Sequence, residues 1–136
     1  QAFQMDRERA IQSLRNWHQG AFVVLWEQVH WLLKLHEEGY RILIISNNPH
    51  FGCLLKLELT GLTNAPHPII RGIYGSNNGL GQKHQLSFWK RVIDLCGIPA
   101  NRMAMVGDNP IEDAQIPREA GFAQSVLVSK EPDCVV

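Results

Sequence analysis

No run of apolar residues in the 136-residue chain approaches the roughly 18 needed to cross a bilayer, so a membrane-spanning helix is excluded. Excess charge is missing too. Thirteen Lys and Arg offset thirteen Asp and Glu, whereas a nucleic-acid coat or a polybasic anchor needs a clustered positive surplus. Cysteine is scarce, and Cys53, Cys96 and Cys134 are odd in number, far apart and in no CxxC pair. Neither a disulfide framework nor a zinc knuckle is expected, and the thiols read as inert groups of a reduced, cytoplasmic protein. The histidines (His18, His30, His36, His50, His67 and His84) include no HxxxH pair with a third partner, and they read as solvent-facing. Behind Gln1 there is no basic stretch followed by an apolar run, so no secretory leader is expected.

What is present fits one soluble globular domain. Hydrophobic residues make up 45% and charged residues 19%. Met5 to Trp17 predicts a polar helix that ends near Gln19-Gly20, and Val24 to Glu38 a second helix stopped by Gly39. Ile42-Leu43-Ile44-Ile45 is a β-branched block without polar alternation, which suits a parallel strand covered on both faces. Phe51 to Leu59 predicts a helix, Thr60 to Pro68 a loop, and Ile69 to Tyr74 a strand. Gln85 to Cys96 predicts an amphipathic helix through Leu86, Trp89, Val92, Ile93 and Cys96, closed by Gly97. Met103 to Val106 and Ser125 to Val128 complete the strands. Between them Ile111 to Ala120 can form a helix if Pro117 sits in its first turn. Alternating strands and helices predict an α/β fold, a parallel sheet with helices on both faces. The four tryptophans (Trp17, Trp26, Trp31 and Trp89) fall on predicted helices and read as packing residues.

Ligands of such sheets gather beyond the C-terminal strand ends, and three of those ends carry polar groups here. Ser46-Asn47 can present a hydroxyl, an amide and backbone N–H groups to an anion, or can cap the following helix. Gly75 to Lys83 resembles a P-loop only superficially, because Gln82 separates Gly81 from Lys83 and His84 follows. Lys83 can still be an anion clamp on a loop, or a solvated surface lysine. Gly107-Asp108-Asn-Pro-Ile-Glu112-Asp113 is the sharpest feature. Its two aspartates can serve a hard cation such as Mg²⁺, one directly and the other through water or by orienting other groups. Alternatively they cap a helix and favour its dipole.

Taken together and in order, Ile-Ile-Ser46-Asn47, Lys83 and Gly107-Asp108 through Asp113, running on into Arg118-Glu-Ala-Gly121-Phe, resemble the haloacid dehalogenase-like (HAD) hydrolase superfamily. The resemblance covers about residues 24 to 130. It implies a Rossmann-like core and a Mg²⁺-dependent phosphatase or hydrolase acting on a small phosphorylated substrate. Ser46, Asn47 and Lys83 would bind the phosphate, Ser46, Lys83 and Asp108 would be the catalytic groups, and Asp108 and Asp113 would serve the metal.

The family reaction starts from an aspartate nucleophile in an Asp-x-Asp motif ending the first strand, and no Asp-x-Asp occurs here. The resemblance therefore implies a C-terminal part whose first strand and most of whose cap are missing. Residues 1–20 would be a cap or linker remnant, 21–129 the core and 130–136 a tail, with another chain or segment supplying the strand. The alternative is a catalytically inactive binding or assembly subunit. His84 also departs from the family, which commonly has proline after the lysine.

Overall fold

The computed structural model describes residues 2–21, 24–63 and 69–128. The expected tail at 130–136, the loop residues 64–68 with His67, and Cys134 lie outside the described residues. The chain divides into two compact units, Gln1–Gly75 and Ser76–Val136.

The first unit runs α1 (Ala2–Ala21), α2 (Trp26–Glu37), β1 (Ile42–Ile45), α3 (His50–Glu58) and β2 (Ile70–Tyr74). Helix α1 outruns its expected span and leaves Leu14 and Trp17 exposed. It meets α3 where Arg15 donates from Nε and Nη2 to the two carboxylate oxygens of Glu58, at 3.2 and 3.3 Å. An exposed pair of this kind contributes at most about 1 kcal/mol, so it orients α1 more than it holds it. Helix α2 starts after Leu25 and buries Val29, with Leu32 and Leu33 half-buried. Gly39 ends it at φ 95, a conformation that only glycine adopts freely, while the Tyr40 N–H donates back to the Leu35 carbonyl at 3.1 Å.

Strands β1 and β2 pair in parallel, with α3 in the crossover. Val29, Ile42, Leu62 and Ile70 form the core of this unit, ringed by Leu32, Ile44, Leu57 and Ile73. The block at Ile42–Ile45 is thus the expected parallel strand, although only Ile42 is fully buried and the other three residues are half-buried.

The second unit runs α4 (Leu86–Cys96), a 3-10 turn (Ala100–Arg102), β3 (Ala104–Gly107), a π-helical turn (Ile111–Gln115), α5 (Ile116–Glu119) and β4 (Gln124–Leu127). Helix α4 buries Trp89 and Val92 of the expected stripe, and Phe88 beside them. Phe88 enters the core, while Leu86, Ile93 and Cys96 are half-buried. Trp89 stands edge-on to Phe88 and to Phe122, at centroid distances of 5.4 and 5.5 Å. Gly97 closes the helix at φ 66, as expected.

The expected helix from Ile111 to Ala120 is split. Pro117 has no N–H to return to the turn before it, and the chain widens there instead: the Gln115 N–H reaches the Pro110 carbonyl, five residues back, at 3.0 Å. Pro117 then sits in the first turn of α5, the one helical place it fits without loss.

Strands β3 and β4 pair in parallel and in register, Ala104 to Gln124 through Gly107 to Leu127. The four strands therefore have the expected parallel α/β form. Among the described residues their ladders make two pairs, β1–β2 and β3–β4, not one continuous sheet. On the β3–β4 pair the face carrying Val106 and Val126 is exposed, at 40% and 48%. On the other face the Ser125 hydroxyl donates to the Ala114 carbonyl of the π-helical turn.

The phase of α4 is testable with two substitutions on one helix. Phe88→Ala should lower unfolding free energy by about 3–5 kcal/mol, because Phe88 is 1% exposed and leaves a cavity. Leu95→Ala, at a residue 59% exposed, should change it by no more than about 0.5 kcal/mol. Urea unfolding of both variants checks the difference, and equal losses would place the helix in the wrong phase.

Candidate functional site

The candidate residues fall into both units. In the first, Ser46 leaves β1 and extends the parallel ladder by one bond, its N–H donating to the Tyr74 carbonyl at 3.0 Å. Its Oγ accepts the Asn48 N–H at 3.0 Å and so closes the Ser46-Asn47-Asn48 turn. The N-cap of α3 is Pro49, so Ser46 caps a turn and not the helix. Gly75 lies against this turn: a Cβ there would fall 2.6 Å from the Asn48 carbonyl and run into the His50 backbone. Asn47 is exposed beside it.

In the second unit Lys83, Asp108 and Asp113 come together at the C-terminal end of β3. Asp113 is 2% exposed and Lys83 is 8% exposed, so the solvated-lysine reading does not hold. The Lys83 ammonium makes an ion pair with Asp113 Oδ1. That oxygen accepts no other hydrogen bond, so the ammonium is what satisfies it. Oδ2 accepts two backbone N–H groups, those of Asp108 and Asn109, each at 3.0 Å. An isolated buried carboxylate is untenable, and this one has a cation and two amide dipoles around it.

The sequence places these groups by simple local rules. Asn109 accepts the Ile111 and Glu112 N–H groups on its Oδ1, both at 3.0 Å, and so caps the π-helical turn, with Pro110 next. Asp113, one turn on, reaches back to the amides at the turn's entrance, which is the reciprocal logic of a capping box. Gly107 leaves the room: a Cβ on it would overlap the Asp113 carboxyl group. Asp108 itself is exposed at the strand end.

Sequence reasoning missed Asn109 and Gly107. The signal for both was present, since Asn-Pro ahead of a helix is a cap signature and a glycine ending an apolar strand allows close approach.

Magnesium is the cation that the motif implies. Asp108 offers a hard carboxylate at an exposed strand end, and Mg²⁺ commonly takes one or two carboxylates with water and phosphate oxygens. Asp113 has both oxygens engaged, so its fit is as the residue that orients the Asp108 backbone, not as a direct ligand. No group of three His, Cys, Asp or Glu side chains that can hold a metal occurs among the described residues.

Residues 81–132 match a protein-family model described as HAD-hydrolase-like. In fold, the chain is similar to the Unknown transcript 4 protein of Saccharomyces cerevisiae, with a TM-score of 0.65 at 17% identity, over 93% of this chain and 60% of that one. It is also similar to a HAD family enzyme of Bacteroides thetaiotaomicron, with a TM-score of 0.63 at 17% identity, over 92% of this chain and 65% of the other. That enzyme was solved as an aspartate-to-alanine mutant in complex with magnesium and inorganic phosphate. The chain thus spans less than two thirds of either structure. No curated protein matches it by sequence. The matched segment carries Lys83, Asp108 and Asp113; over it the chain is similar to HAD-like hydrolases, and over most of its length it shares the fold of the two solved structures.

The convergence on Asp113 predicts an order of losses. Asp113→Ala strands a buried ammonium and removes the acceptor of two part-buried N–H groups, and should cost about 3–5 kcal/mol. Lys83→Met leaves the carboxylate its two amides and should cost clearly less. Urea unfolding of the two variants decides it; equal losses would mean that the amide contacts of Oδ2 contribute nothing.

Proposed function

We propose that this chain is the phosphate-binding and metal-orienting part of a Mg²⁺-dependent HAD-type phosphohydrolase acting on a small phosphorylated substrate. One observation carries the reading: a single buried carboxylate, Asp113, ties the Lys83 ammonium to the backbone of Asp108 at a strand end. Held in this way, Lys83 has little conformational entropy left to lose when an anion arrives. Asp108 is the residue that would hold Mg²⁺, which when bound neutralises charge on the transferring phosphoryl group. Lys83, with Ser46 and Asn47 of the first unit, is assigned to the phosphate, and Ser46, Lys83 and Asp108 to catalysis.

No Asp-x-Asp occurs in the sequence, so in this reading the nucleophile belongs to residues outside the chain, carried by another chain or segment that also pairs as a strand. Residues 1–20 are assigned to the end of a cap or its linker. Substrate choice is assigned to cap residues outside the core. The same absence favours the second reading, an inactive HAD-like binding or assembly subunit that kept the fold.

Hydrolysis of p-nitrophenyl phosphate with Mg²⁺ separates the two. The test compares this chain, an N-terminally extended form with an Asp-x-Asp strand, and the extended form carrying Asp108→Asn. Activity in the extended form alone, lost in the variant, is the expected result. The isolated chain should run at least about a thousandfold slower, since a covalent nucleophile is worth several orders of magnitude. A rate within tenfold of the extended form would overturn the proposal. Silence in all three would favour the binding subunit.

A further inference from the structure

The loop that delivers Lys83 is pinned by the helix that follows it, and one pin acts on Lys83 itself. The Trp89 indole N–H donates to the Lys83 carbonyl at 2.7 Å, in a fully buried position. On the same side of the loop, Gln85 Oε1 accepts the Gln82 N–H at 3.1 Å, and Arg91 Nη1 donates to the Leu80 carbonyl at 2.7 Å. Gly81, at φ 106, sits so close that a Cβ would lie 2.6 Å from Gln85 Oε1. Three side chains around the start of α4 thus fix the backbone at 80, 82 and 83. The residue after the lysine is His84, which is exposed and places no covalent restraint on the chain. Proline at that position would fix φ and bias Lys83 toward extended backbone. Hydrogen bonds from α4 supply the restraint here.

We propose that Trp89 is a positioning residue for Lys83. It sets the Lys83 backbone so that the ammonium reaches Asp113 Oδ1, and through Asp113 it sets the amides of Asp108 and Asn109. The sequence of contacts is continuous: indole N–H to Lys83 carbonyl, Lys83 ammonium to Asp113, Asp113 Oδ2 to the two amides. A buried indole N–H without its acceptor would cost free energy, so this bond also meets a polar requirement of the buried Trp89 ring. The proposal deepens the phosphohydrolase reading by adding a residue that touches neither phosphate nor metal. Its test does not pass through turnover.

The chain is prepared with Trp89 replaced by 3-benzothienylalanine, which keeps the ring's size and puts sulfur where the N–H was. A second variant, Phe122→Leu, weakens the same aromatic contact but leaves the indole donor in place. Two readouts are taken on each. One is the acylation rate of Lys83 by an amine-reactive ester, relative to exposed Lys90, measured by mass spectrometry. The other is amide hydrogen exchange at Asp108 and Asn109, relative to Val92 on α4. The benzothienyl variant should acylate Lys83 roughly three- to tenfold faster, the factor expected for one lost hydrogen bond, and Asp108 and Asn109 should exchange faster while Val92 does not. Phe122→Leu should lower stability without moving either ratio. Unchanged Lys83 acylation in the benzothienyl variant would overturn the proposal. So would equal changes in the two variants, because Trp89 would then act by packing alone. A chain that proves inactive as a phosphatase leaves both ratios measurable, so the two readings fail separately.

Discussion

The carboxylate of Asp113 is the point on which the second unit's polar structure depends. At 2% exposure it has given up nearly all of its hydration, and a charge so placed is tolerable only if the protein replaces the lost water dipoles. Here the replacements are three groups from two separate stretches of sequence: the ammonium of Lys83 and the backbone amides of Asp108 and Asn109. Each of the three is in turn constrained. Lys83 is held at its carbonyl by Trp89, the two amides belong to the turn leaving β3, and that turn is capped by Asn109. Asp113 therefore joins the loop before α4, the end of β3 and the π-helical turn through its two carboxylate oxygens.

Buried ion pairs are poor evidence of net stability, because desolvation offsets much of the Coulombic gain. A well-packed apolar pair could fill the same volume. The pair does something that an apolar substitute cannot, which is to fix the direction of a cation and the register of two amides at a strand end. Gly107 shows the cost of that choice: the strand's last residue gives up its side chain so that the carboxylate can lie against the backbone. The π-helical turn shows it again, as a widened helix start imposed by Pro117 in a segment that also has to aim Asp113 backward. Local irregularity is concentrated at the end of β3, while the apolar centre around Phe88, Trp89 and Val92 is regular.

Much of this was legible in the sequence. The block Ile42–Ile45 and the stretch Ile69 to Tyr74 contain no helical period, and both became parallel strands. The spacing of Lys83, Asp108 and Asp113 was enough to bring all three into one candidate site. The burial of Lys83 was not legible, because a lysine next to Gly, Gln and His has no local apolar signal; it is buried by a partner 30 residues away. Trp89 read correctly as core, but its polar edge could be matched to the Lys83 carbonyl only once the loop's path was known. The other tryptophans show the limit of a composition argument: Trp17, Trp26 and Trp31 are each about half-exposed, not packed. Hydrophobic character tells which side chains gain by burial and not which ones find a neighbour.

The engagement of Asp113 also divides the labour between two aspartates that look equivalent in sequence. A cation bound directly at Asp113 would have to displace either the buried Lys83 ammonium from Oδ1 or two amides from Oδ2, at the cost of those hydrogen bonds. Asp108 carries no such burden on its side chain's exposure; it stands at the surface, and its backbone amide is the atom that Asp113 holds. The inner carboxylate thus fixes the backbone on which the outer one stands. Two acidic residues five positions apart come to stand in different surroundings, one buried against three donors and the other exposed. That difference follows from the turn between them, through Asn109, Pro110 and the widened helix start, more than from the charge that they share.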